Sequence, residues 1–149
     1  MNKTNICDLY EQDYYLWLQE TYQKLLKKDI DELDWEHLKE EILTLGNEQR
    51  RKVASYLRQL LINLLLYQYW ESERESCGKG WQNEIDNFRF ELELLFESKT
   101  LYNYSLQAID EIYPKARKHA IKKSELSSNI FPEKCSYTPE QLFDSEFLP

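Results

Sequence analysis

The stretch from Val53 to Trp70 constrains the fold more than any other part of the chain. Its apolar residues recur at helical spacing: Val53, Tyr56 with Leu57, Leu60 with Leu61, Leu64 and Tyr67. A period near 3.6 residues specifies an α-helix. From Leu60 onward the segment is apolar nearly all round, which predicts a central helix covered on several sides. The covering elements must be helical too, because the chain lacks the punctuation of a turn-rich sheet. It holds three glycines and four prolines among 149 residues, about half the usual share. The expectation is one all-α domain spanning 1–149. A bundle of four to five helices occupies 8–125, and an ordered C-terminal segment, 126–149, packs across it.

Capping residues and apolar stripes place the other helices. Asp8, with Glu11 three residues on, predicts the start of a helix running to about Lys28. Its inward stripe is Tyr10, Tyr14, Trp17 with Leu18, Thr21 and Leu25. Asp34 is the expected N-cap of a second helix whose stripe, Leu38, Ile42 and Leu45, faces inward. Gly46 reads as its C-terminal cap, with Asn47 capping a third helix, or else as a kink in a longer one. The polar stretch Glu71 to Gly80 holds two of the three glycines and reads as a loop. A helix with stripe Trp81, Ile85, Phe88, Leu92 and Leu95 follows. Ser98 then caps a last long helix with a small and apolar face, Leu101, Ser105, Ala108, Ile109, Ile112, Ala116 and Ala120. Pro114 interrupts it, predicting a kink near Asp110. In the tail, Thr138-Pro139-Glu140-Gln141 spells an N-cap, a proline at the first helical position and a capping-box glutamine. Phe131, Phe143, Phe147 and Leu148 are expected to be buried against the bundle, the alternative being an arm that binds a separate partner.

Charge and cysteine content exclude several classes. The formal net charge of −8 argues against a general binder of nucleic acid or anionic membrane. The most apolar run, the 11 residues Leu60–Trp70, is too short to span a bilayer. Met1 to Trp17 has no apolar core and carries Asp8, Glu11 and Asp13, unlike a signal peptide. Cys7, Cys77 and Cys135 are distant and odd in number, so neither a disulfide framework nor a zinc knuckle is indicated. The expectation is a reduced, cytoplasmic protein without metal or cofactor.

The chain resembles a bacterial, almost wholly helical family, the domain of unknown function number twenty-nine. The resemblance runs through Leu9-Tyr10, Asp13-Tyr14, Trp17, Leu33-Asp34-Trp35, Leu38, Glu40-Glu41-Ile42 and Leu45-Gly46. It continues through Ser55, Leu57-Arg58, Leu60-Leu61, Leu64-Leu65, Trp81, Ile85 and Arg89. It ends on Phe131-Pro132, Cys135, Thr138, Asp144 and Phe147-Leu148-Pro149. The chain departs from the family pattern at Asn63, at Phe88 and at Lys99. The resemblance implies a helical fold and brings no activity, cofactor or catalytic residue.

Three polar groupings remain. Asp34, Glu36, His37, Glu40 and Glu41 crowd one helix, and Asp34-x-x-His37 faintly echoes a carboxylate-x-x-His ligand pair. A di-iron bundle needs two such motifs and further carboxylates, so a solvated acidic face is the plainer reading. Glu40 or Glu41 could meet Arg58 and Arg89 in a packing network. Lys115, Arg117, Lys118, Lys122 and Lys123 form an acid-free strip, readable as an anion-binding surface or as ordinary matching to the helix dipole. Nothing pairs a nucleophile with a base, and three glycines allow no phosphate-binding loop. The leading expectation is a small non-catalytic domain whose partner is another protein. The alternative is an enzyme or nucleic-acid-acting factor using the Glu/Arg cluster and the basic strip.

Overall fold

The computed structural model describes residues 5–149. Among them the chain forms α1 (Ile6–Gln12), α2 (Tyr14–Leu26), α3 (Trp35–Tyr69), α4 (Glu71–Leu95), α5 (Lys99–Ser124) and α6 (Pro139–Phe143). Short 3-10 turns sit at Ile30–Glu32 and Ser128–Ile130, and no described residue is in a strand. The fold is all-α, as expected. It divides into two compact units, Met1–Glu48 and Gln49–Pro149.

In the N-terminal unit, the single helix expected from Asp8 is two. Asn5, not Asp8, caps α1, its side chain accepting from the Cys7 N–H. Asp13 ends α1 and caps α2 by accepting from the Leu16 N–H. A short carboxylate offers the backbone an alternative to helix continuation, which is why a break falls at Asp13. Gly46 is not a cap either, because α3 runs through it without interruption. Its missing side chain faces open space, so it costs only the local helix-propensity penalty.

The C-terminal unit is built on the central helix. Leu57, Leu60, Leu61, Leu64, Leu65 and Leu66 of α3 are all fully buried. Against them lie Trp81, Ile85 and Leu92 of α4, and Ala108, Ile112, Ala116 and Ala120 of α5. Ser98 caps α5 as predicted, and the helical run continues through Pro114.

The expected loop at Glu71–Gly80 is instead the first part of α4. Arg74 explains the tight junction. Its Nε and Nη2 donate to the carbonyls of Tyr67 and Gln68 at 2.8 and 2.7 Å, satisfying acceptors that the end of α3 would leave orphaned. Gly78 is buried, and a Cβ there would come within 3.1 Å of the Arg74 side chain. This glycine makes room for packing and does not mark a turn.

The tail is ordered and docked. Phe131 and Leu142 are fully buried, and Tyr137 nearly so. Phe143 and Phe147 are half-buried, whereas Leu148 is exposed, against expectation. The capping box at Thr138 and Gln141 forms in both directions. The Tyr113 hydroxyl donates to the Pro132 carbonyl and the Tyr137 hydroxyl to Gln68 Oε1, both at 2.6 Å. Arg89 was expected to meet a carboxylate of the second helix. Buried on α4, it binds main chain instead: Nε, Nη1 and Nη2 donate to the carbonyls of Leu142, Phe147 and Gln141 at 2.8, 2.7 and 3.0 Å. The end of α6 supplies carbonyls with no helical partner, and a cation suits that end of the dipole.

Replacing Arg89 by Met should destabilise the fold by about 3 kcal/mol, because buried carbonyls lose charged donors. Urea denaturation would measure it. Deleting residues 130–149 should lower the melting temperature of the whole chain, since Phe131 and Leu142 alone contribute about 1.5–3 kcal/mol each on burial. In the opposite direction, Gly46→Ala should raise stability by up to about 1 kcal/mol.

Candidate functional site

The N-terminal unit is held by polar contacts more than by apolar ones. Trp17 and Leu33 are its buried hydrophobic residues. The Trp17 indole N–H donates to Asp34 Oδ2 at 3.0 Å. Asp34 caps α3, as the sequence predicted, accepting from the His37 N–H at 3.3 Å. The same carboxylate meets His37 Nδ1 at 2.6 Å. Tyr10 stacks on the His37 ring with centroids 3.9 Å apart. The hydroxyls of Tyr10 and Tyr14 donate to the two oxygens of Glu41, each at 2.5 Å. Tyr10 and Tyr14 lie on either side of the break at Asp13, one on α1 and one on α2, and converge on Glu41.

These bonds set the ionisation of the cluster. Burial pushes the Asp34 carboxyl upward, but the bonds from His37 and Trp17 outweigh it and leave its pKa lowered. The hydrogen bond to Asp34 raises the pKa of His37, against a smaller effect of burial. Hydrogen bonds from Tyr10 and Tyr14 lower that of Glu41, and the bond to Glu41 pushes Tyr10 up to about 12.

The polar interior turns the apolar stripes outward. On α2, Trp17 and Thr21 face inward, while Tyr15, Leu18, Tyr22, Leu25 and Leu26 are exposed. At 100° per residue these five fall within an arc of about 100°. The first turns of α3 repeat the arrangement. Trp35, Ile42 and Leu45 are exposed and Leu38 is half-buried, and their spacing makes them a second stripe. Ile42 and Leu45 were expected to face inward, yet they are 64% and 61% exposed. His37 and Glu41, at i,i+4, take the inward face because their polar partners are there. Leu18 and Leu25 are corrected likewise.

The remaining candidate residues are dispersed. Glu40 is exposed, and Glu36 forms an exposed pair with Lys39 at 3.1 Å. Arg117 is half-buried and donates to the carbonyls of Phe131 and Ser128. Lys118 and Lys122 are exposed. Arg58 and Lys115, which the sequence placed in separate groupings, line one shallow cleft together with Arg51. Among the described residues no three His, Cys, Asp or Glu side chains converge as a metal-binding group, and no helix is long and apolar enough to cross a membrane.

The model of a family described as "Domain of unknown function DUF29" matches residues 9–148. No curated protein and no solved structure matches the chain.

The Asp34–His37 pair gives a signed pH prediction. His37 has its pKa raised above the ordinary 6.5, so its contribution to stability is complete below that value and is lost as pH rises through the folded-state pKa. Asp34 has its pKa lowered from 3.8, so its contribution holds above that value and is lost in acid. The urea midpoint of the full chain should therefore fall from about pH 6 to pH 8, and His37→Gln should flatten that slope.

Proposed function

We propose that this chain, which belongs to the DUF29 family, is a small non-catalytic protein-interaction domain that binds through its N-terminal unit. The observation that carries this reading is the inverted arrangement of that unit. Trp17 and Asp34 are buried and Tyr10, His37 and Glu41 half-buried against them, while its exposed side chains include Leu18, Tyr22, Leu25, Ile42, Leu43 and Leu45. Exposed apolar residues scattered singly need no explanation, but contiguous stripes on adjoining helices mark interaction surfaces.

Charge narrows the kind of partner. Residues 1–48 contain twelve Asp and Glu against five Lys and Arg, a net −7, whereas residues 49–149 contain fifteen against fourteen. Nearly all of the chain's net negative charge therefore falls in the segment that carries the apolar stripes. An amphipathic basic segment of another protein complements that surface, and a like-charged one is repelled. The three cysteines are all free, which suits a reducing compartment such as the cytoplasm.

The test replaces Leu18, Leu25 and Ile42 by Ser in the full-length chain. Each side chain is exposed, so each change should move stability by no more than about 0.5 kcal/mol. The triple variant should lose any partner that the unmodified chain retains from native lysate. If the three changes instead cost about 2 kcal/mol or more each, as core truncations do, the stripes serve internal packing and the interaction reading fails.

A further inference from the structure

The C-terminal unit brings together cations that form no ion pair within the fold. Arg51, Ala54, Ser55 and Arg58 lie at i, i+3, i+4 and i+7 on α3 and so share one face. With Ile112 and Lys115 of α5 they line a cleft of about 250 Å³. Ile112 is buried and forms its apolar floor with half-buried Ala54, while Arg51, Ser55, Arg58 and Lys115 are exposed at its rim. The other arginines of this unit have structural partners: Arg74, Arg89 and Arg117 bind carbonyls, and Arg50 lies over the Tyr104 ring at 5.5 Å. Among the described residues Arg51, Arg58 and Lys115 form no ion pair, and the ion pairs present are His37–Asp34 and Lys39–Glu36. The acids nearest in sequence, Glu48 and Glu111, are exposed and pair with neither Arg51 nor Lys115. Gln49–Trp70 holds four cations and no acid, and Ile112–Ser124 holds five cations and no acid. In a chain of net charge −8, cations brought together unpaired from two helices concentrate a positive potential in the cleft.

We infer that this cleft binds the phosphate group of a small phosphorylated molecule. Guanidinium forks match phosphate oxygens with paired, charge-assisted hydrogen bonds. Lys115 supplies a point charge from the opposite wall, and the Ser55 hydroxyl is a further donor. The cleft lies below the roughly 300–1,000 Å³ of whole-ligand pockets, so it accommodates a phosphate head group while the remainder of the molecule stays outside. No aromatic side chain lines it. A single-stranded nucleic acid would therefore find nothing to stack on.

The test titrates the full-length chain with glycerol 3-phosphate at constant ionic strength and follows the backbone amide signals of Ser55, Arg58 and Lys115. Saturable shifts are expected at these positions. The double variant Arg58→Gln/Lys115→Gln should weaken binding at least tenfold, and Lys122→Gln/Lys123→Gln should leave it unchanged. Circular dichroism melting would confirm that both variants fold. A parallel arm uses phosphatidylcholine vesicles with and without phosphatidic acid. Binding confined to phosphatidic acid vesicles, and lost in the first double variant, supports the same site with a lipid head group as the source. Equal weakening in the two double variants, or saturable binding in neither arm, would overturn the inference. So would an oligonucleotide that binds far more tightly than glycerol 3-phosphate with affinity growing with its length.

Discussion

The C-terminal unit depends on guanidinium groups bonded to main-chain carbonyls where helices stop. A helix leaves its last four carbonyls without partners, and the common remedy is a glycine in the left-handed conformation. This chain has three glycines, and none has a positive φ. Glu125 takes the left-handed conformation after α5. Lys28 does so after α2, and at three other points, all in the C-terminal unit, arginines do the work. Arg74 serves the end of α3, Arg89 the end of α6, and Arg117 the turn at Ser128 to Phe131. Each guanidinium also binds a second carbonyl, which fixes two points of chain at once. The scarcity of glycine and the placement of arginine are two sides of one solution.

The two units are stabilised by different physics. The C-terminal unit combines a leucine-rich core with guanidinium donors bonded to main-chain carbonyls. The N-terminal unit has 48 residues, too few to bury a large core. It relies on Asp34, His37, Glu41 and two tyrosine hydroxyls. Several of these titrate, and they occupy the inward faces that apolar side chains would otherwise take. The exposed stripes of α2 and α3 follow from that choice, and the interaction reading rests on them.

Sequence periodicity revealed which residues share a face but not always which face turns inward. Along Leu60–Leu66 the two questions have one answer, because the helix is buried on every side. The capping signals at Ser98 and Thr138 were legible because they need only neighbours in sequence. At Ile42 and Leu45 the reading inverted, since the polar partners of His37 and Glu41 come from α1, α2 and the capping residue. The polar stretch at Glu71–Gly80 misled for a related reason. Gly78 accommodates the Arg74 side chain, and that contact has no signature in composition. The carbonyl partners of Arg89 were invisible too, because every residue has a carbonyl and only the fold selects three. The meeting of Arg58 with Lys115 is equally non-local, joining α3 to α5.

The Arg89 clamp has a consequence for sequence drift. Its acceptors are main-chain oxygens of Gln141, Leu142 and Phe147, and any amino acid at those positions offers the same oxygen. The clamp thus tests where the tail's backbone runs and ignores what its side chains are. Exposed tail positions can vary without weakening it, while a single inserted or deleted residue between Leu142 and Phe147 would shift the carbonyls out of register. Lineages of such chains should tolerate substitution there far better than a change of length.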